Sequence, residues 1–211
     1  MKRGVLIAFE GIDGTGKSTQ VQLAAEALTR RGFVVVTTRE PTDGPWGQRI
    51  RQLYKNRNSV TPEEELALFI ADRREHVQTV IEPALASGSV VLTDRYYLST
   101  AAYQGAAGQD PDRIIAENEA FAPQPDLVML LTIPVALGVH RVRHLRGESL
   151  NDFEQEETLA RVAAIFAGLG GGYIRRIDAS GSAAEVHGLI MARIDSKLAS
   201  RGDAGGKNGS L

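Results

Sequence analysis

The sequence predicts an α/β fold in which a five-stranded parallel sheet is flanked by helices. Three observations predict it. An apolar run, Val5 to Phe9, has the length of a buried parallel strand and leads directly into Gly11-x4-Gly16-Lys17-Ser18, a complete phosphate-binding loop. Four more runs of strand character alternate with helical stretches along the rest of the chain. A strand, helix and strand with such a loop at the first turn imply right-handed winding, so the whole reads as the P-loop NTPase fold. On this reading residues 1-200 form a single domain and 201-211, polar and glycine-rich, a disordered tail.

The elements follow in order. Glycines at 11, 14 and 16 permit backbone angles that let successive N–H groups curl around phosphate oxygens at the start of the next helix. Gly11, Ile12, Asp13, Gly14, Thr15, Gly16, Lys17, Ser18 and Thr19 are therefore the candidate ATP cradle, with Lys17 along the β- and γ-phosphates and the Ser18 hydroxyl on Mg2+. Lys17 to Arg31 carries Val21, Leu23, Ala24, Ala27 and Leu28 at helical spacing and stops at Gly32. Phe33 to Thr38 is a β-branched second strand. Arg39-Glu40-Pro41-Thr42-Asp43-Gly44-Pro45 leaves its carboxyl end, the edge where open α/β sheets bind ligands.

Gly47 to Tyr54 reads as a short helix bearing Arg49 and Arg51. A long helix begins at Thr61-Pro62-Glu63-Glu64, with Thr61 as cap and acids in the first turn, and runs to Ala86 with Pro83 as a site for a kink. Val90 to Thr93 is the third strand, and Asp94 after it fits a carboxylate that meets Mg2+ or its water. Helices over Leu98 to Ala107 and Pro111 to Phe121 precede a fourth strand, Leu127 to Ile133. A helix from Pro134 to Arg146, a polar break at Gly147 to Phe153 and a helix from Glu154 to Leu169 follow. After Gly170-Gly171-Gly172, Tyr173 to Asp178 is the fifth strand and Ser182 to Ala199 the last helix.

Composition narrows the function classes. Lys plus Arg number 24 against 26 Asp plus Glu, which gives no reason to expect a nucleic-acid polymer or a membrane surface as partner. There is no cysteine, hence no disulfide and no Cys-based zinc site, and no apolar segment approaches the roughly 18 residues of a membrane span. The expectation is a soluble cytoplasmic protein. His76, His140, His144 and His187 lack metal-ligand spacing and read as surface or capping residues. No Asn-Lys-x-Asp occurs and no Asp-x-x-Gly follows the third strand, which argues against a regulatory GTPase. Isolated arginines after the second strand, in the long helix, after the third strand and near residue 141 suit phosphoryl transfer, which needs cations spread around the moving group.

Four segments together resemble the thymidylate kinases of bacterial type: Phe9 to Thr19, Arg39-Glu40-Pro41, Phe69-Ile70-Ala71-Asp72-Arg73-Arg74-Glu75-His76, and above all Asp94 to Gly105. The likeness runs from about residue 5 to residue 178. It implies transfer of the γ-phosphoryl of Mg-ATP to dTMP, giving ADP and dTDP for dTTP synthesis. It implies Phe69 stacked on thymine, Arg73 donating to its O4, Thr100 and Gln104 completing the base pocket, and Tyr103 crowding the sugar 2′ position. Asp13 would accept from the 3′-hydroxyl, Glu40 and Pro41 would approach the substrate, Arg51 would clamp the monophosphate, and Arg95 would bridge both phosphates. A mobile lid over about 141-155 would close on ATP, with Arg141 at the nucleotide. The relatives' Asp-Arg pattern is missing from Asn151-Asp152-Phe153-Glu154, which leaves open the lid arginine that reaches the phosphates; Arg143 or Arg146 is the expectation. A homodimer through the helix over 62-86 is implied as well.

Plainer readings stay open beside these: core packing for Phe69, solvated charges for Arg73 and Arg51, a turn cap for Asp13, a basic helix end for 141-146, and burial within one subunit for the stripe on 62-86. The same fold could also serve another acceptor or a non-catalytic nucleotide switch.

Overall fold

The computed structural model describes residues 3–54, 60–146 and 152–203, with the side chains of 144–155 and 201–203 left aside. Five parallel strands, β1 (Val5–Glu10), β2 (Val35–Arg39), β3 (Val90–Asp94), β4 (Leu127–Thr132) and β5 (Ile174–Asp178), lie in the order β2-β3-β1-β4-β5. Their register sets Phe9 beside Asp94 and Arg39 beside Asp94, so the carboxyl ends of β1, β2 and β3 finish level with one another. The chain order reverses on either side of β1, and the phosphate loop sits at that switch point.

Alternation along the strands divides the core in two. Leu6, Ala8, Val91, Val128 and Leu130 face helices on one side, and Val5, Ile7, Phe9, Leu92, Met129 and Leu131 face the other. The first layer is built by α4 (Glu82–Ala86), α5 (Tyr97–Ala106) and α8 (Asp152–Gly168), the second by α1 (Lys17–Arg30) and α9 (Ala183–Asp203). The remaining helices are α2 (Pro45–Leu53), α3 (Pro62–His76), α6 (Pro111–Glu119) and α7 (Val135–Arg146). At the head of α3 the capping box is present: Thr61 Oγ1 accepts from Glu64 N at 3.2 Å while Thr61 N donates to Glu64 Oε2 at 2.8 Å.

Several boundaries differ from the sequence expectation, four of them with consequences for the fold. The second strand begins at Val35 and reaches Arg39, leaving Phe33 and Val34 outside it. The helix over 62–86 is interrupted by a π-helical turn, Val77–Ile81, in which Glu82 N donates back to Val77 O. Helix α8 begins at Asp152, inside the expected polar break, and α9 continues through Asp203, three residues into the segment 201–211 expected to be disordered. Residues 147–151 and 204–211, where the middle of the lid and the rest of the tail were placed, lie outside the described residues. Among the described residues no helix is long and apolar enough to cross a membrane.

Candidate active site

The phosphate loop has the backbone its glycines were expected to allow. Gly11, Gly14 and Gly16 have φ of 135°, 82° and 85°. Two are also pressed by neighbours: a Cβ on Gly11 would meet Leu131 O at 2.3 Å, and one on Gly14 would meet Gly138 O at 2.4 Å. Helix α1 begins immediately after Gly16 with no side-chain cap, so its first N–H groups remain turned to the loop. Lys17 is buried and its ammonium donates to Gly11 O at 3.1 Å and Ile12 O at 2.9 Å. Burial, with the Arg95 charge, pushes its pKa down to about 8 against the pull of Asp13, Asp94 and Glu10.

Across the sheet edge, Ser18 Oγ donates to Asp94 Oδ2. These two hard oxygen donors come from the start of α1 and the end of β3, which the register brings together. Among the described residues no group of three or more His, Asp or Glu is gathered for a metal. A pair of oxygens with room for water and phosphate oxygens is the donor set that suits Mg2+.

Arg95, next after Asp94, has φ 71°. Its Nη2 donates to Asp13 Oδ1 at 2.6 Å and its Nη1 to Ser99 Oγ at 3.0 Å, and its guanidinium carbon lies 5.0 Å from the Tyr103 ring centre. Asp13 is thus an ion-pair partner of Arg95. Burial and the Asp13 charge raise the Tyr103 phenol's pKa despite Arg95, so the ring stays neutral beside the cation.

A second cluster lies under the loop after β2. Arg73 is 1% exposed. Its Nε and Nη2 both donate to Glu40 Oε2, Nη2 also to Thr100 Oγ1 at 2.9 Å, and Nη1 to Asn118 Oδ1 at 2.6 Å. It is a buried, paired cation and not a solvated charge. Burial alone would raise the Glu40 carboxyl, but Arg73 and His76 outweigh it and hold it below the usual range. Gln104 is buried and its Oε1 lacks a hydrogen-bond partner among the described residues. Phe69 is half-buried and stands outside the buried clusters that its helix neighbour Leu66 and partner Ala101 form.

Other predicted residues are placed differently. Arg51 Nη1 donates to Pro41 O at 3.0 Å and its Nη2 to Asp43 Oδ1 at 3.1 Å, so it braces the loop that carries Glu40 and Pro41. Arg141 donates to the carbonyls of Gly14, Ala179 and Ser180, tying the phosphate loop to the loop after β5. Arg143 is half-buried on α7, whereas the Arg146 side chain lies outside the described residues.

His76 is a correction. It is 2% exposed, with Nδ1 2.9 Å from Glu40 Oε1 and Nε2 2.6 Å from Thr38 Oγ1, and is no surface residue. Sequence reasoning also passed over Glu10 and Asn118, both fully buried among these groups. Glu10 carried a signal: an acid closing an otherwise apolar strand beside a phosphate loop. Asn118 carried none, since it meets Arg73 across 45 residues of chain.

A family model described as thymidylate kinase matches residues 9–190. A thymidylate kinase of Desulfotalea psychrophila is 53% identical over 195 residues, 92% of this chain and 96% of that protein. One from Xanthomonas euvesicatoria is 45% identical over 205 residues, 95% of this chain and 88% of that protein.

Proposed function

This chain belongs to the thymidylate kinase family, and from that premise we propose how its residues move the γ-phosphoryl of ATP to dTMP, giving ADP and dTDP for dTTP synthesis. The acceptor phosphate oxygen is already a nucleophile. No covalent intermediate is needed, and the work is positioning and charge neutralisation. The observation that carries the proposal is the place of Arg95: between the phosphate loop, through Asp13, and the Ser99 and Tyr103 face of α5. A planar guanidinium there spans the donor and acceptor phosphates.

Lys17, now held by loop carbonyls, turns to the β- and γ-phosphates when they displace those weaker partners. Ser18 and Asp94 would hold Mg2+, which neutralises phosphate charge when bound. On the acceptor side, four of the five Arg73 N–H groups are used by Glu40, Thr100 and Asn118, leaving one to donate to a base carbonyl. That donor suits thymine O4 and opposes the amino group of cytosine. Phe69 supplies the stacking face and Gln104 Oε1 accepts from the base N–H. Tyr103 crowds the sugar 2′ position. Asp13 would accept from the 3′-hydroxyl, and Arg143 or Arg146 completes the charge set from α7. We place the enzyme in the cytoplasm, as a homodimer through α3.

ADP release measured across dTMP, dUMP, dCMP and ribosylthymine monophosphate tests the acceptor. Turnover should be greatest with dTMP and least with dCMP. Replacing Arg95 by Ala should lower kcat about a hundredfold or more with little change in KM for ATP. Equal losses in kcat and ATP binding would reject the bridging role.

A further inference from the structure

One charged side chain at the site is unused by this chemistry. Glu10 closes β1, is fully buried, and faces the turn that presents Arg95. Its Oε1 accepts from Tyr96 N at 3.0 Å and Ser99 N at 3.2 Å, and its Oε2 accepts from the Ser99 hydroxyl. Helix α5 has no side-chain cap from Tyr96, the residue at its N-cap, so a carboxylate reaching over from the sheet stands in for one. Ser99 Oγ in turn accepts from Arg95 Nη1 at 3.0 Å.

Arg95 needs this support. At φ 71° a non-glycine residue is strained and holds only where its surroundings over-determine it. Its own N–H donates to Phe9 O at 2.9 Å and its carbonyl accepts from Thr93 Oγ1 at 2.7 Å. Those bonds fix the backbone. The guanidinium is fixed through Ser99, and there the ionisation of Glu10 decides. A carboxylate only accepts, so the Ser99 hydroxyl must point its proton at Glu10 and leave its lone pairs for Arg95. A group that donates to Ser99 Oγ would compete with Arg95 for those lone pairs.

We infer that Glu10 is a positioning residue for phosphoryl transfer, setting the direction of the Ser99 hydroxyl and through it the aim of Arg95. The inference rests on the bridging role proposed for Arg95. It also has a stability signature. Burial pushes the Glu10 carboxyl up from 4.5 to about 7, although Ser99, Arg95 and Lys17 all favour its ionised form. Asp13 and Asp94, around the same two cations, are the nearby acids. A folded-state pKa above the unfolded one means the folded chain holds the extra proton between 4.5 and 7. Stability therefore falls as pH rises through that window, and above 7 the ionised carboxylate is a standing cost.

Glu10→Gln separates positioning from plain support. Its Oε1 can keep the Tyr96 and Ser99 N–H bonds, while its amide N–H faces Ser99 Oγ as a donor and reverses that bond. At about pH 8, kcat should fall roughly tenfold, with KM for ATP and dTMP changed by no more than about twofold and the melting temperature equal or higher. Added to Ser99→Ala, the same change should lower kcat little further, because the path runs through Ser99. Wild-type kcat in Glu10→Gln beside a disabled Arg95→Ala would overturn the inference. So would a melting temperature that drops along with kcat. Full activity in Arg95→Ala would instead locate the failure in the role given to Arg95.

Discussion

Arg73 and Glu40 are a buried ion pair, 1% and 4% exposed at their side chains, and desolvating two charges costs several kcal/mol before any attraction is counted. The pair is tolerable because every neighbour is turned to serve it. Asn118 offers Oδ1 to Arg73 while its Nδ2 donates to Ile114 O, and Thr100 accepts from Nη2. His76 completes the set. Glu40 can only accept, so His76 Nδ1 donates to it, while Nε2 lies 2.6 Å from Thr38 Oγ1. Removing the imidazole in His76→Ala leaves Glu40 one donor short and loosens the cation that faces the base. KM for dTMP should rise roughly tenfold, with KM for ATP nearly unchanged. His76→Asn, whose amide nitrogen can stand in for Nδ1, should recover most of the loss, and His76→Gln, which reaches toward Thr38 instead, should recover little; steady-state kinetics with each nucleotide varied decides. In the sequence Arg73, Glu40 and Thr100 could be singled out by resemblance, but neither Asn118 nor the bonds that join the four could, because the three partners lie 27 to 45 residues from Arg73 and meet it only through the fold.

The phosphate loop was the most legible element, since its chemistry is almost wholly local: strand, glycines, lysine, helix. What the spacing did not reveal is how tightly α7 is seated on it. Gly138 presses on Asp13 O, where a Cβ would come within 2.9 Å, and its own carbonyl blocks a Cβ on Gly14. Two glycines on different elements let the backbones touch. Alanine at 138 would gain about 1 kcal/mol in helix propensity, against about 1–3 kcal/mol for crowding a backbone carbonyl that cannot rotate aside. The crowding term wins. Gly138→Ala should lower the melting temperature by a few degrees and raise KM for ATP severalfold by shifting Asp13 and the loop. An unchanged KM would mean that α7 moves instead of the loop. The π-helical turn was equally hidden. Pro83 has no N–H to return to Thr79, and the widened turn Val77–Ile81 lies immediately before it, but nothing in the apolar pattern separates a π turn from an α turn.

At the scale of the molecule the five-stranded parallel sheet followed from alternation and winding, whereas the order of its strands and its two-sided core emerge only in the fold. Helix α3 shows why the apolar stripe on 62-86 left two readings open. Asp72, Arg73 and His76 bond to the Glu40 loop, while Ala67, Ile70, Ala71 and Arg74, spaced i, i+3, i+4, i+7, line an open groove of about 440 Å³ beside α6. Inward burial accounts for the first face, and the second is the face the proposed homodimer would cover. A second copy meeting this face across a two-fold axis would set each α3 against its twin, so one substitution acts twice. Ile70→Asp would then place two like charges at the centre of the contact. Wild type should sediment at twice the mass of one chain and Ile70→Asp at the mass of one. Because the opposite face of the same helix carries Phe69 and Arg73, the monomer should lose affinity for dTMP, with KM rising roughly fivefold or more, while ATP binding at the far side of Arg95 holds. A wild-type chain that sediments as a monomer at micromolar concentration, with full activity, would assign the groove to some other occupant and leave α3 to be steadied from within.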